Sequence, residues 1–415
     1  MSSDAPPPPA PLPTHCEVLV VGAGPAGSAC ARVLALAGVD VVLADQSPFP
    51  RDKVCGDGLI PDAHAALARL GLLEEVMARA QSATHVGCVG PRGGRIEVPG
   101  SLAVLPRRQL DDILCRAAQA AGARFVAPAR LEEPLEDAAG RVCGARFKVG
   151  DTTHEIRAHW VVLATGAVPQ ALIAAGMCER RTPSGIALRG YVRNEAMARG
   201  LTALDVVWHR KLRPGYGWIF PCRDGVFNIG VGIAHSHRTL KDGRLGMKDV
   251  NLRQVFAAFT EVYAPARELM AGGTLLGELK GAPLRCTLEG ARFSRPGLLV
   301  TGEAAGTTYA FTGEGIGKAL ETGIIAAEAI AADRDGADDA ATRAGFEARL
   351  ERLRPRFEMY EKANRVNVWP WLADLVIWRA KKSRRLLARM SGVLEETSNP
   401  GNLVSFKGLR RLFTE

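Results

Sequence analysis

The sequence is poor in every feature that would take it out of the ordinary globular proteins. No apolar run approaches the roughly 18 residues that read as a membrane span, so no transmembrane segment is expected. The start, MSSDAPPPPAPLPTH, lacks the basic-then-apolar layout of a secretory leader. It is Pro-rich and polar, and residues 1–15 are expected to form a disordered lead-in. The nine cysteines are odd in number, scattered, and never in Cys-x-x-Cys spacing. Neither a disulfide framework nor a metal site is therefore expected, and a reducing cytoplasm is the expected compartment. The histidines show no usable partner spacing. No internal repeat and no second glycine fingerprint on a strand–helix unit is visible, so one permanently held dinucleotide is the economical reading. The net charge is +9, and residues 341–415, with 16 Lys or Arg against 8 Asp or Glu, carry +8 of it. No nucleic-acid motif accompanies that basic segment, and no nucleic-acid partner is expected.

What the chain does have is concentrated near its start. Glu17–Gly27 reads EVLVVGAGPAG. Val18–Val21 form a short β-branched run, the mark of a buried parallel strand. Gly22, Gly24 and Gly27 then satisfy G-x-G-x-x-G before the helical pattern SACARVLALAG. Such glycines permit a tight turn, admit a pyrophosphate against the backbone and let helix and strand pack closely. The helix start offers free N–H groups to that pyrophosphate. Asp45, at the end of the next strand VDVVLAD, stands where an acidic side chain takes a ribose hydroxyl.

Downstream, QSPFPRDKVCGDGLIPDAHAALARLGL predicts a loop and then a helix opening at Pro61. Residues 84–105 alternate like short strands, and RRQLDDILCRAAQAAGARFV predicts an amphipathic helix and a strand. A hairpin turning at Gly150-Asp151 is followed by a further buried strand in AHWVVLATGA. Between 183 and 285 the texture becomes that of a largely antiparallel sheet interrupted by a helix near 249–262. GLLVTGEAAG and GEGIGKALETGIIAAEAIAA then return to a strand, a glycine turn and a long helix. The expected architecture is α/β. A Rossmann-like domain (16–182 and 285–335) holds an inserted, mainly antiparallel substrate domain (183–284), with 84–105 assigned to either. A C-terminal helical basic segment (336–415) follows.

Four stretches, GAGPAG (22–27), RDKVCGDGL (51–59), YGWIFP (216–221) and GEAAG…TGEGIGKALETG (302–323), carry a resemblance. The chain resembles the geranylgeranyl reductase family of flavoproteins, which shares its fold with p-hydroxybenzoate-hydroxylase-type monooxygenases and flavin-dependent halogenases. The resemblance makes the dinucleotide FAD. It places Ala26 and Asp45 at the pyrophosphate and ribose, Gly56, Asp57 and Leu59 along the cofactor, and Arg107 at the phosphates or ribityl chain. It also places Leu131 near the adenine and Gly315 and Ile316 at the isoalloxazine. Glu303 stands where the family usually has Asp, and Ala310-Phe311 where it often has Asn-Pro.

The implied function is reduction of carbon–carbon double bonds in an isoprenoid or related apolar substrate, with NADPH or a ferredoxin as electron donor. Cys55 is the candidate acid or positioning group. Tyr216 and Trp218, two apart on a strand and hence on one face, read either as a core stripe or as a substrate wall that stabilises positive charge. The basic, partly apolar stretch VIWRAKKSRRLLARM (376–390) reads as a helix lying on the inner face of a membrane or as a solvated helix packed on the body. Two rivals stand beside the reductase. One is an oxygen-dependent monooxygenase or halogenase, which Tyr216 and Phe220 disfavour; the other is a non-catalytic flavin-binding scaffold.

Overall fold

The computed structural model describes residues 12–179, 182–234, 250–289, 291–333 and 338–403. The expected disorder of residues 1–11 lies outside that set; His15, assigned to the lead-in, opens the first strand. β1 (His15–Val21) buries four consecutive residues and leads through the glycine turn into α1 (Pro25–Leu36) and β2 (Val41–Ala44). Gly27 is fixed by packing, because a Cβ there would lie 1.7 Å from the Gly22 carbonyl oxygen. After the loop come β3 (Gly58–Leu59), α2 (Pro61–Arg69) and α3 (Leu73–Arg79), then the hairpin β4 (Gln81–Val89) and β5 (Arg95–Val104). The chain returns with α4 (Arg107–Ala120), β6 (Arg124–Val126), β7 (Arg130–Glu136), β8 (Val142–Val149), β9 (Thr152–Leu163) and α5 (Gln170–Ala174).

The next segment contributes β10 (Gly185–Arg193), β11 (Leu204–Val207), β12 (Gly215–Pro221), β13 (Val226–Ala234), α6 (Leu252–Val262), α7 (Ala264–Gly272) and β14 (Thr274–Leu284). β15 (Ser294–Arg295), β16 (Leu298–Val300) and α8 (Ile316–Ala332) follow. The remaining helices are α9 (Asp339–Glu351), α10 (Arg354–Ala363), α11 (Arg365–Val368), α12 (Trp371–Ala380), α13 (Arg384–Leu394) and α14 (Pro400–Leu403).

Two sheets organise these elements. The first runs β15-β16-β9-β1-β2-β6, with β8 on β9 and β7 on β8. Its centre is parallel, β1 pairing Val18 with Val41 of β2 and with Trp160 of β9. The second runs β14-β10-β13-β12-β11-β4-β5-β3 and is antiparallel except where β11 meets β4. Residues 84–105 therefore pair with the second sheet, between β11 and β3.

Two local expectations change. The hairpin after Gly150-Asp151 and the buried strand AHWVVL are one strand: β9 pairs with β8 in its first half and sits between β1 and β16 in its second. Residues 376–390 are not one helix. α12 ends at Ala380, and the Ser383 side chain caps the start of α13 by accepting the Leu386 N–H at 3.3 Å. Val376, Ile377, Ala380 and Leu386 from this stretch are buried against Cys88, Ile96 and Val98 of the second sheet. Those apolar residues are consumed in packing, which leaves the charged faces outside.

Candidate active site

A cavity of about 960 Å³ lies between the two sheets and the C-terminal helices. Gly22, Gly24, Pro25 and Ala26 line one end. There the Asp45 carboxylate accepts the Ala23 N–H at 2.8 Å and the Ser47 N–H at 2.9 Å, which fixes it beside the glycine turn. Arg51 reaches Asp45 at 3.6 Å and Asp111 at 3.0 Å. Arg107 forks onto Asp111 with bonds of 2.6 and 2.8 Å. The two guanidiniums converge over the turn: a Cβ on Gly24 would lie 3.7 Å from an Nη2 of each. Asp111 thus clamps two cations where a diphosphate would need them.

The loop after Arg51 forms the middle. Asp57 is buried with its backbone in the left-handed region (φ 64°). Its carboxylate accepts the Arg107 N–H at 3.2 Å, the Asn228 amide at 2.8 Å and the Tyr191 hydroxyl. Burial outweighs these donors and pushes the Asp57 acid up to about 6. Asn228 also donates to the Cys55 carbonyl at 2.8 Å and accepts the Trp218 indole N–H at 2.9 Å. One amide therefore joins Cys55, Asp57 and the aromatic strand. Cys55 lines the cavity; burial, then the neighbouring Asp57 charge, pushes its thiol up. It stays protonated at neutral pH and is a weaker acid than a free thiol. Across the cavity, Glu303 accepts the Thr308 hydroxyl at 3.3 Å and lies 3.9 Å from Lys53. Gly315 and Ile316 line the wall where α8 begins, so the free N–H groups of that helix start face this region.

The other end is aromatic and aliphatic. Tyr216, Trp218 and Phe220 alternate along β12 with ring centroids 6.2 and 6.3 Å apart. Trp208 continues the row and stacks on Phe311 at 6.2 Å. Their polar tips are occupied elsewhere: Tyr216 donates to the Thr312 carbonyl and Trp208 to Asn367 at 2.8 Å. The ring faces are left for the cavity. Val366 of α11, Val376 and Ile377 of α12 and Met390 of α13 complete that end.

Gly22, Gly24, Ala26, Asp45, Cys55, Gly56, Asp57, Arg107, Leu131, Tyr216, Trp218, Glu303, Gly315 and Ile316 all line this one cavity. Leu59 does not: its side chain is fully buried in a core with Ala63, Leu67 and Leu110. The alternation of β3 turns Leu59 inward, while its neighbours Gly58 and Ile60 face the cleft. Gly27 is not among the lining residues and packs against the Gly22 carbonyl. Sequence reasoning passed over Arg51, Asp111, Trp208 and Asn228. The Arg107–Asp111 spacing of four on a predicted helix was a readable signal. Asn228 carried none, since it sits within an apolar strand and meets Asp57 only in the folded chain.

These residues fit FAD: the open side of Gly24 and the paired guanidiniums suit the diphosphate, the fixed Asp45 carboxylate a ribose, and the start of α8 an electron-rich ring edge. Comparison with known proteins agrees. Residues 15–208 match the family model described as an FAD binding domain. The chain is 33% identical over 336 residues to the menaquinone reductase of Mycolicibacterium smegmatis, covering 76% of each protein. It is 30% identical over 346 residues to digeranylgeranylglycerophospholipid reductase 1 of Methanopyrus kandleri, covering 82% of this chain and 86% of that one. A geranylgeranyl bacteriochlorophyll reductase-like protein from Thermoplasma acidophilum superposes with a TM-score of 0.71 at 22% identity, covering 97% of this chain and 96% of the other.

Proposed function

The chain belongs to the geranylgeranyl reductase family of FAD-dependent oxidoreductases, and from that premise we propose that it reduces carbon–carbon double bonds in the polyprenyl chain of an apolar lipid. The observation that carries this reading is the continuity of the cavity from the glycine turn to an aromatic and aliphatic end. A polyprenyl chain is common to menaquinones and geranylgeranyl lipids as chemical species, and its shape and polarity suit that end. Bound FAD, once reduced with NADPH or a ferredoxin as the proposed donor, supplies the hydride.

The protein's residues supply the rest. Arg51, Arg107 and Asp45 hold the cofactor's polar half, and Asp57 and Asn228 fix the Cys55 loop against β12. Val366, Val376 and Ile377 exclude water from the substrate. An isolated alkene is not electrophilic, so positive charge builds on one carbon as a proton arrives; the faces of Tyr216 and Trp218 stabilise it. Cys55 positions the substrate beside the reacting region.

Delivery from a bilayer fits the outer face of the same helices. Trp369, Trp371 and Trp378 are 42%, 57% and 48% exposed, and Lys381, Lys382, Arg384 and Arg385 are exposed beside them. Among the described residues no helix is long and apolar enough to cross a membrane, so this contact is peripheral. Retention on liposomes containing acidic lipid at low salt, and release at high salt, is the expected behaviour; failure to bind at low salt removes the membrane contact.

Mass spectrometry of products formed anaerobically by the dithionite-reduced holoenzyme from a polyprenyl panel tests the reaction. Products heavier by pairs of hydrogens support it. A strict requirement for oxygen would replace it with the monooxygenase or halogenase reading.

A further inference from the structure

The proposed reaction consumes a proton, and a group better suited than the Cys55 thiol to hold it lies behind α8. Asp62, on the first turn of α2, occupies the space beside Gly317 in the first turn of α8. Glu314, two residues before α8 begins, lines the cavity while its carboxyl oxygens are buried. None of the four carboxyl oxygens of Asp62 and Glu314 receives a hydrogen bond of good geometry from an N–H or O–H group among the described residues. Among the described residues the Glu314 carboxyl has the Asp62 carboxyl as its hydrogen-bond partner in reach, and Asp62 has Glu314 and, besides it, the backbone N–H of Ala63. Two ionised carboxylates cannot bond; an acid and a carboxylate can.

The charges around the pair are mostly committed elsewhere. Lys318 of α8 is 2% exposed and gives its short contacts to Glu321 at 2.7 Å and Glu396 at 2.9 Å, reaching Asp62 only at 3.7 Å. Glu396, after α13, also takes Arg356 of α10 and accepts the Tyr309 hydroxyl at 2.6 Å, so its oxygens are satisfied. Tyr360 of α10 gives its hydroxyl to the Val393 carbonyl at 2.7 Å. Among the described residues no cation forms an ion pair with Glu314, and the Lys318 charge only partly offsets what pushes its acid up.

We propose that Asp62 and Glu314 share one proton behind the first turn of α8, and that this is the proton consumed in the alkene reduction. The second half rests on the reading under Proposed function. A hydride with its electron pair makes one new C–H bond as the π bond breaks. Glu314 gives a proton to the other carbon, leaving oxidised flavin and a doubly ionised pair, which water reprotonates. Asp62 is the positioning residue that keeps the proton on Glu314. Glu314 lines the same cavity as Tyr216, whose hydroxyl lies against the backbone of the preceding Gly313, 2.6 Å from where a Cβ there would stand. Donation requires the Glu314 side chain to turn from Asp62 toward the aromatic end. Burial, followed by the Asp62 charge, pushes the Glu314 acid well up, so the donating form persists at neutral pH and is lost as pH rises.

Infrared spectroscopy of the FAD-loaded protein at neutral pH should show a carboxylic-acid carbonyl band that Glu314→Gln abolishes and Glu314→Asp retains. In anaerobic single turnover with a geranylgeranyl substrate, Glu314→Gln should reoxidise reduced flavin at least about 100-fold more slowly. Its flavin spectrum and reduction by dithionite should be unchanged, and Glu314→Asp should recover most of the rate. A wild-type spectrum without that band overturns the shared proton. A wild-type rate in Glu314→Gln overturns its use as the acid. If the wild-type protein reduces no polyprenyl substrate, the alkene reading falls and takes that use with it; the band still decides the shared proton.

Discussion

The two ends of the cavity are made of different materials by different routes. At the glycine turn, function lies in backbone and charge, drawn mostly from residues 22–111 around Asp45 and the Arg51–Asp111–Arg107 clamp. At the other end it lies in ring faces and aliphatic walls from β12, Phe311 and α11–α13, segments far apart in the chain. The first end has one shape to fit and little freedom to vary. The second is a surface whose size and depth can change without disturbing the first. Cofactor identity is therefore encoded locally and substrate identity by assembly, a division that the two ends should display independently when each is perturbed.

The sharpest way to break this comparison is Gly27→Ala. Its Cβ would enter the Gly22 carbonyl at 1.7 Å, so overpacking of about 1–3 kcal/mol and loss of bound flavin are expected together. Full flavin content by absorbance in the purified variant would show that the turn is not the cofactor's anchor. Val376→Trp addresses the opposite end. Filling the wall at α12 should leave flavin content unchanged and cut geranylgeranyl turnover by about tenfold or more relative to a shorter prenyl analogue, read as kcat/KM. Equal losses for both lengths would mean that the chain does not run toward the C-terminal helices.

Two smaller effects probe the middle. Cys55→Ala should raise KM more than it lowers kcat and leave the pH profile in place, because a thiol pushed above its ordinary value does not titrate in the working range. A profile that moves with this substitution would return the acid role to Cys55. Asp57 gives a pH dependence of stability. Its folded-state acid is raised to about 6 from an ordinary value near 4, so its contribution is fully present below about pH 4 and is lost as pH rises through 6. Melting temperature should decline over that window from this group, and Asp57→Asn should flatten that decline.

How much of this could be read beforehand follows the same division. β1, the glycine turn, α1 and Asp45 were legible because local spacing dictates both strand–helix geometry and phosphate recognition. The second sheet was legible as alternating strands, but its partners were not: β4 and β5 pair with β11 and β3, an arrangement that only long-range packing decides. Leu59 was misplaced because a two-residue strand gives no periodicity from which to tell its inward side from the cleft side. The basic stretch 376–390 looked like one helix because its charges repeat smoothly; the break depends on the Ser383 cap. Glu314 was in plain view within GEGIG, yet its significance lies in Asp62, two hundred and more residues earlier.

The central claim is that one cavity brings flavin and a polyprenyl double bond together. It is tested most directly by anaerobic titration of the dithionite-reduced holoenzyme, free of excess reductant, with a geranylgeranyl lipid. Flavin reoxidation should match the double bonds reduced one for one, with two hydrogens gained per flavin oxidised. Flavin that stays reduced until oxygen is admitted, with the lipid recovered unchanged, would contradict the account.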